Sequence, residues 1–299
     1  MENKLTIKDS SIAFLSSIVL CQLGTLFFAA VGLIIASFFN ITNEAFFAFI
    51  ETAIGSLVLS LFMDALIVLI FFTFNRKKDN KIISKPKAKK ILFYILIAAI
   101  CYLLLYPIVV SFNSIIYKFF PESKFTYNLT TANYFISIIP MVILPAIAEE
   151  MLYRGLIFKG LQKAGNTFAI IVSAIMFSLF HLSLEQTIYP ILMGLILAVI
   201  MCYENNIIYC TTLHLTNNFI ALTCKYFNID LLFNHWTYYL IAVLCLIAFI
   251  TIITFIIKKL KSKTQPEKIS TEHKTYFALC LAVVFILWII IQLSTIFKG

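Results

Sequence analysis

Nine apolar runs fill this chain, and no water-soluble fold could bury them all. They occupy roughly 11–39, 45–74, 91–117, 134–158, 167–184, 187–203, 207–225, 237–257 and 275–296. Most reach the approximately 20 residues a helix needs to cross a bilayer, whereas a barrel strand needs only about 9–11. The fifth to seventh runs are short. We therefore expect an all-α, polytopic transmembrane helix bundle of eight to nine helices, forming a single integral membrane domain over 1–299. Charged residues make up only 12% of the chain, against about 25% in soluble domains. The first run is too long for a signal-peptide core and has no clear small-residue cleavage site, so it reads as a retained helix.

The net charge of +9 does not indicate nucleic acid, because the charges sit in loops between apolar runs. Arg76, Lys77, Lys78, Lys81, Lys85, Lys87, Lys89 and Lys90 crowd loop 75–90. Loop 258–274 carries six more lysines. With Lys4, Lys8, Lys159 and Lys163, one side collects 18 of the 23 basic residues. The positive-inside rule then places the N-terminus in the cytoplasm, and such loops also attract anionic lipid heads. A chain this rich in Ile, Phe, Asn and Lys fits a bacterial plasma membrane. All seven cysteines fall in apolar runs without a CxxC, which suits packing rather than disulfides or zinc.

Against this apolar background a few polar residues stand out. Glu149-Glu150-Met151-Leu152-Tyr153-Arg154, Phe177-Ser178-Leu179-Phe180-His181 and His214-Leu215-Thr216-Asn217-Asn218 lie inside successive runs. An ionisable side chain at the centre of a spanning helix costs about 2.5–3.5 kcal/mol on the insertion scale, so such residues mark a functional site by default. Glu150 and Arg154 are four apart, acid first, and should pair on one helix face. Glu149, rotated by about 100°, is left without an obvious partner on its own helix. That suits a proton-transfer group, although both glutamates pairing with Arg154 is the purely structural alternative. His214 and Asn218 share a face and could both donate to one oxyanion. Phe177 sits one turn before His181 and should pack against it. Pro140 and Pro145 precede the acidic pair, and Pro145 leaves the Met141 carbonyl without its helical donor. Glu51 and Asp64 read as packing or helix-edge acids.

Chain spacing places three of these residues at one depth. Glu149 lies 16 residues before Gly165 in the turn Lys163–Asn166, and His181 lies 16 after it. His214 follows Glu204 by 10 residues, and Glu149 precedes Lys159 by 10. At ~1.5 Å per residue, both lie on the order of 15 Å below the inner polar boundary.

The motifs EExxxR, FxxxH and HxxxN, complete and in order, resemble the CPBP family. That family includes CAAX prenyl endopeptidases and bacteriocin-processing and immunity relatives. The likeness covers about 134–225, which it marks as the catalytic core. It implies peptide-bond hydrolysis in the membrane, with Glu149 and His181 activating water. His214 and Asn218 would form the oxyanion hole, and Glu150, Arg154 and Phe177 would support them. No cofactor is favoured. The alternative is zinc held by Glu149, His181 and His214 with one open position. HExxH, GxSxG and P-loop motifs are absent from the sequence.

The expected function is therefore an intramembrane endopeptidase acting on a peptide or protein tail reached from the cytoplasmic side. Prenylated tails and leader peptides are both candidate substrates. Two other classes remain: a non-catalytic immunity or scaffolding protein, and a proton-coupled transporter. Transporters often carry internal repeats, and none is visible here.

Overall fold

The computed structural model describes residues 4–76, 78, 80–119, 131–229, 237–261 and 270–296. Among them there is no strand. The helices are α1 (Ile7–Phe38), α2 (Asn43–Ile50), α3 (Ala53–Asn75), α4 (Ala88–Ile116) and the composite α5 (Ala132–Ala164), followed by α6 (Asn166–Phe180), α7 (Ile188–Glu204), α8 (Ile207–Tyr226), α9 (Thr237–Lys261) and α10 (Thr271–Ile296). Six of them, α1, α3, α4, α5, α9 and α10, are long and apolar enough to cross a membrane. That is fewer than the eight to nine crossings expected. α6 and α7 are apolar but shorter, and α8 carries Thr211, Thr212, His214, Thr216, Asn217 and Asn218 along its length.

Two expected runs end differently. The run 45–74 breaks into α2 and α3, because Thr52 ends one helix and starts the next. Its hydroxyl donates to Phe49 O at 2.7 Å and accepts from Gly55 N at 3.1 Å, capping α3. Gly55 makes the turn possible, since a Cβ there would lie 2.0 Å from Phe49 O. Glu51 thus sits at a helix boundary. The run 167–184 stops as a helix at Phe180, with His181 as its cap. Beyond it Leu182 turns left-handed, φ 50°. The Gln292 amide of α10 pins this turn, donating to Leu182 O at 2.9 Å and accepting from Leu184 N at 3.0 Å.

α5 is the axis of the bundle, with α1, α3 and α8 packed against it. It is not a uniform α-helix. Ile139–Ile143 and Met151–Ile157 are π-helical turns, flanking the Glu149–Glu150 pair. The prolines supply the cause of the first, because Pro145 cannot bond back to Met141 O. Side chains of other elements take up carbonyls of these wide turns. Ser60 donates to Pro140 O at 3.3 Å, Asn80 to Gly155 O at 2.6 Å and Ser10 to Ile157 O at 2.9 Å. α1 can approach so closely because residue 160 is glycine, where a Cβ would lie 2.0 Å from the Ser10 hydroxyl.

Basic segments gather at one end of this bundle. Lys78 pairs with Asp9 at 3.3 Å, Lys8 with Glu272 at 2.7 Å and Lys90 with Glu204 at 2.5 Å. Lys159 donates to Asn205, Asn206 donates to Ser84 O at 3.0 Å, and Ile207 N donates to Ile82 O at 2.9 Å. Loop 75–90, the N-terminal residues, the α7–α8 turn and the start of α10 therefore share one end. Large apolar side chains such as Leu26, Phe27 and Phe38 are exposed on the flanks, where lipid would meet them.

Candidate active site

The Glu150–Arg154 pair forms as its spacing predicts. Arg154 Nη1 donates to Glu150 Oε1 at 2.9 Å, with both side chains almost wholly buried. The guanidinium also reaches Gly194 O at 3.4 Å and lies 4.6 Å from the Phe177 ring centroid. Gly194 allows this close approach of α7 to α6, since a Cβ there would sit 3.0 Å from Ala174 Cα.

Glu150 holds a second partner that the sequence did not reveal. His214 Nδ1 lies 2.9 Å from the same Oε1. A carboxylate only accepts, so Nδ1 carries the proton in this bond. The opposite ring nitrogen, Nε2, points toward Glu149, 3.8 Å from its Oε2. One glutamate thus anchors the imidazole and its neighbour faces the other side of the ring. This is how a π-interrupted helix uses two consecutive acids about 100° apart.

His181 is fixed differently. Its Nδ1 lies 2.9 Å from Phe177 O. A carbonyl cannot donate, so Nδ1–H does, and the neutral ring keeps its lone pair on Nε2. The Phe177 ring stands nearly perpendicular to both imidazoles, at 89° to His181 and 88° to His214. Phe177 therefore packs against His181, as its spacing suggests, and also against His214 and Arg154. Asn218 faces the same space as His214. Its neighbour Asn217 is buried and donates to Tyr189 OH, tying α8 to α7.

Glu149, Phe177, His181, His214 and Asn218 line one cavity of about 570 Å³. The Glu149 side chain is 13% exposed, whereas Glu150 is 0% exposed. The site thus contains an accessible carboxyl, an imidazole bonded to a buried carboxylate, a second imidazole with a free lone pair, and an amide. Glu149, His181 and His214 share the cavity, yet no three His, Cys, Asp or Glu side chains among the described residues are arranged to hold a metal ion.

One acid near the site was legible in the sequence only as a packing or helix-edge residue. Asp64 accepts from Ser60 at 2.6 Å, and Ser60 also contacts Pro140 O in the first π-turn. Asp64 is therefore part of the support beneath α5 rather than a lone packing acid. Only the position of an acid within an apolar run could have flagged it.

No curated protein and no solved structure matches the chain. Residues 131–220 do match a family model, described as type II CAAX prenyl endopeptidase Rce1-like. That span contains the acidic pair, Arg154, both histidines and Asn218, so this part of the chain is an Rce1-like domain of the CPBP type, the signature of a membrane protease.

Proposed function

We propose that the chain is an intramembrane endopeptidase hydrolysing a peptide bond by glutamate-activated water, with the reaction in the 134–225 core of one membrane domain. The observation that carries this reading is the convergence of Glu149, His181, His214 and Asn218 on one cavity inside the bundle. Glu149 takes a proton from water, while His181 Nε2 accepts a hydrogen bond that aims the water at the scissile carbonyl. The carbonyl oxygen becomes an oxyanion held by the Asn218 amide and His214 Nε2–H. His214 already donates Nδ1–H to Glu150, so donating from Nε2 as well requires the imidazolium. Glu149 finally passes its proton to the leaving amine, the C–N bond breaks, and a carboxylic acid and an amine remain.

Peptide profiling of cells producing wild type or His181→Ala tests the activity. Peptides present with wild type and missing with the variant are expected, and identical profiles would sink the reading. Asn218→Ala should lower kcat by about 10²–10³ with little change in KM, as for loss of one oxyanion donor. An equal kcat would remove Asn218 from the site. Activity should also survive exhaustive chelation of the purified protein. Activity lost on chelation and restored by zinc would replace the water-activation scheme with a zinc-dependent one, while leaving peptide hydrolysis in place.

A further inference from the structure

The cavity runs from the Glu149–His214 pair in one direction only. On α5 its wall is Met141, Pro145 and Glu149, a stripe at four-residue spacing leading back toward the start of that helix. On α8 it is His214, Asn218, Leu222 and Lys225, leading toward the end of that helix. Val109 and Asn113 contribute from the last part of α4, and Tyr189 and Met193 from the first part of α7. After His181 the wall continues into the α6–α7 turn at Glu185 and Gln186. Each of these directions leads away from the lysine-rich end, where α4 and α8 begin and α5 and α7 finish.

The opposite direction is packed shut. Leu152, Tyr153, Arg154, Leu156, Ile157 and Leu161 are all at most 1% exposed. Beyond them, the bonds of Asn80 to Gly155, Asn206 to Ser84 and Ile207 to Ile82 tie the polar end together. Nothing in that layer lines the cavity.

We infer that substrate reaches Glu149 from the end of the bundle opposite the lysine-rich loops. Resting on the endopeptidase reading, this makes the substrate a peptide presented on the extracytoplasmic side when those loops are cytoplasmic. The sequence reading expected access from the cytoplasmic side, but the depth of Glu149 below the basic loops does not say where a cavity opens. The length of the route constrains the substrate further. His214 to Lys225 is 11 residues of helix, about 16 Å at ~1.5 Å per residue. An extended chain rises ~3.4 Å per residue, so about five residues of substrate fit between the scissile bond and Lys225, the lining residue farthest along α8.

Thiol accessibility tests this without needing a substrate. Met141→Cys and Ala221→Cys place a thiol on the cavity wall from two different helices, so failure of one variant to fold leaves the other. Lys85→Cys reports the side of the lysine-rich loop. A small, charged, membrane-impermeant thiol reagent is applied to intact cells and to inverted vesicles, with wild type as background for the native cysteines. The cavity cysteines should label only from the side on which Lys85→Cys does not. Labelling from the Lys85→Cys side, from both sides or from neither would overturn the inference. A cavity that labels as expected in a protein that hydrolyses no peptide would instead count against the endopeptidase reading alone.

Discussion

Glu149→Gln should reduce kcat/KM for peptide hydrolysis by about 10²–10⁴-fold, the usual contribution of a positioned general base. It should leave the melting temperature in detergent close to wild type. Both halves follow from the environment of this side chain. Glu149 faces the cavity, and its nearest charged partner is His214 Nε2 at 3.8 Å, beyond hydrogen-bond distance. Glutamine keeps the shape and loses the ability to accept a proton from water. Little native bonding disappears with it. Glu150→Gln should behave in the opposite way, because that carboxylate is fully buried and bonded to both Arg154 and His214. Its loss strands the guanidinium, so stability falls along with activity. The check is a rate and a melting curve on each purified variant. Full activity in Glu149→Gln would assign water activation elsewhere.

How much of this could be read in the sequence depends on which physical signal carries each feature. Apolar length and lysine asymmetry identified a helical membrane bundle, and the structure does bring the basic segments to one end. Counting residues from Gly165 matched Glu149 with His181, because α5 and α6 run antiparallel from a turn where Gly165 adopts φ 103°. The Glu150–Arg154 pair needed only helical periodicity. The His214–Glu150 bond did not follow from any of these signals, since contacts between helices depend on how each is rotated. Two π-turns in α5 shift that rotation away from regular α-helix. The break at Thr52 was hidden for another reason: a threonine cap inside an apolar run looks like one more tolerated residue. Length and composition alone mark six spans among the described residues rather than eight to nine, because α6 and α7 are short and α8 is polar. Buried neighbours let those three be shorter or more polar than a lone span could be.

Arg154→Ala should destabilise the protein by about 3–5 kcal/mol, the cost of stranding the other charge of a buried pair. The intact pair need not be a net source of stability for its breakage to be costly. Glu150 Oε2 and Arg154 Nε find no hydrogen-bond partner among the described residues, so part of the desolvation cost stays uncompensated. A pair that is expensive to bury and incompletely bonded serves better to position a neighbour than to hold helices together. The neighbour is His214, whose Nδ1 shares Glu150 Oε1 with the guanidinium. Removing Arg154 leaves that carboxylate with only the imidazole, in a place water does not reach. The double variant Glu150→Gln/Arg154→Met removes both charges at similar volume, so it should recover much of the stability lost in Arg154→Ala. It should nonetheless stay inactive, because His214 no longer has the carboxylate that orients its ring. Melting temperatures of the two variants and of wild type, measured with peptidase rates, separate the two roles. A double variant as unstable as Arg154→Ala would show that packing around Phe177 and Gly194, and not the stranded charge, is what Arg154 supplies. An active double variant would show that His214 works without its carboxylate anchor.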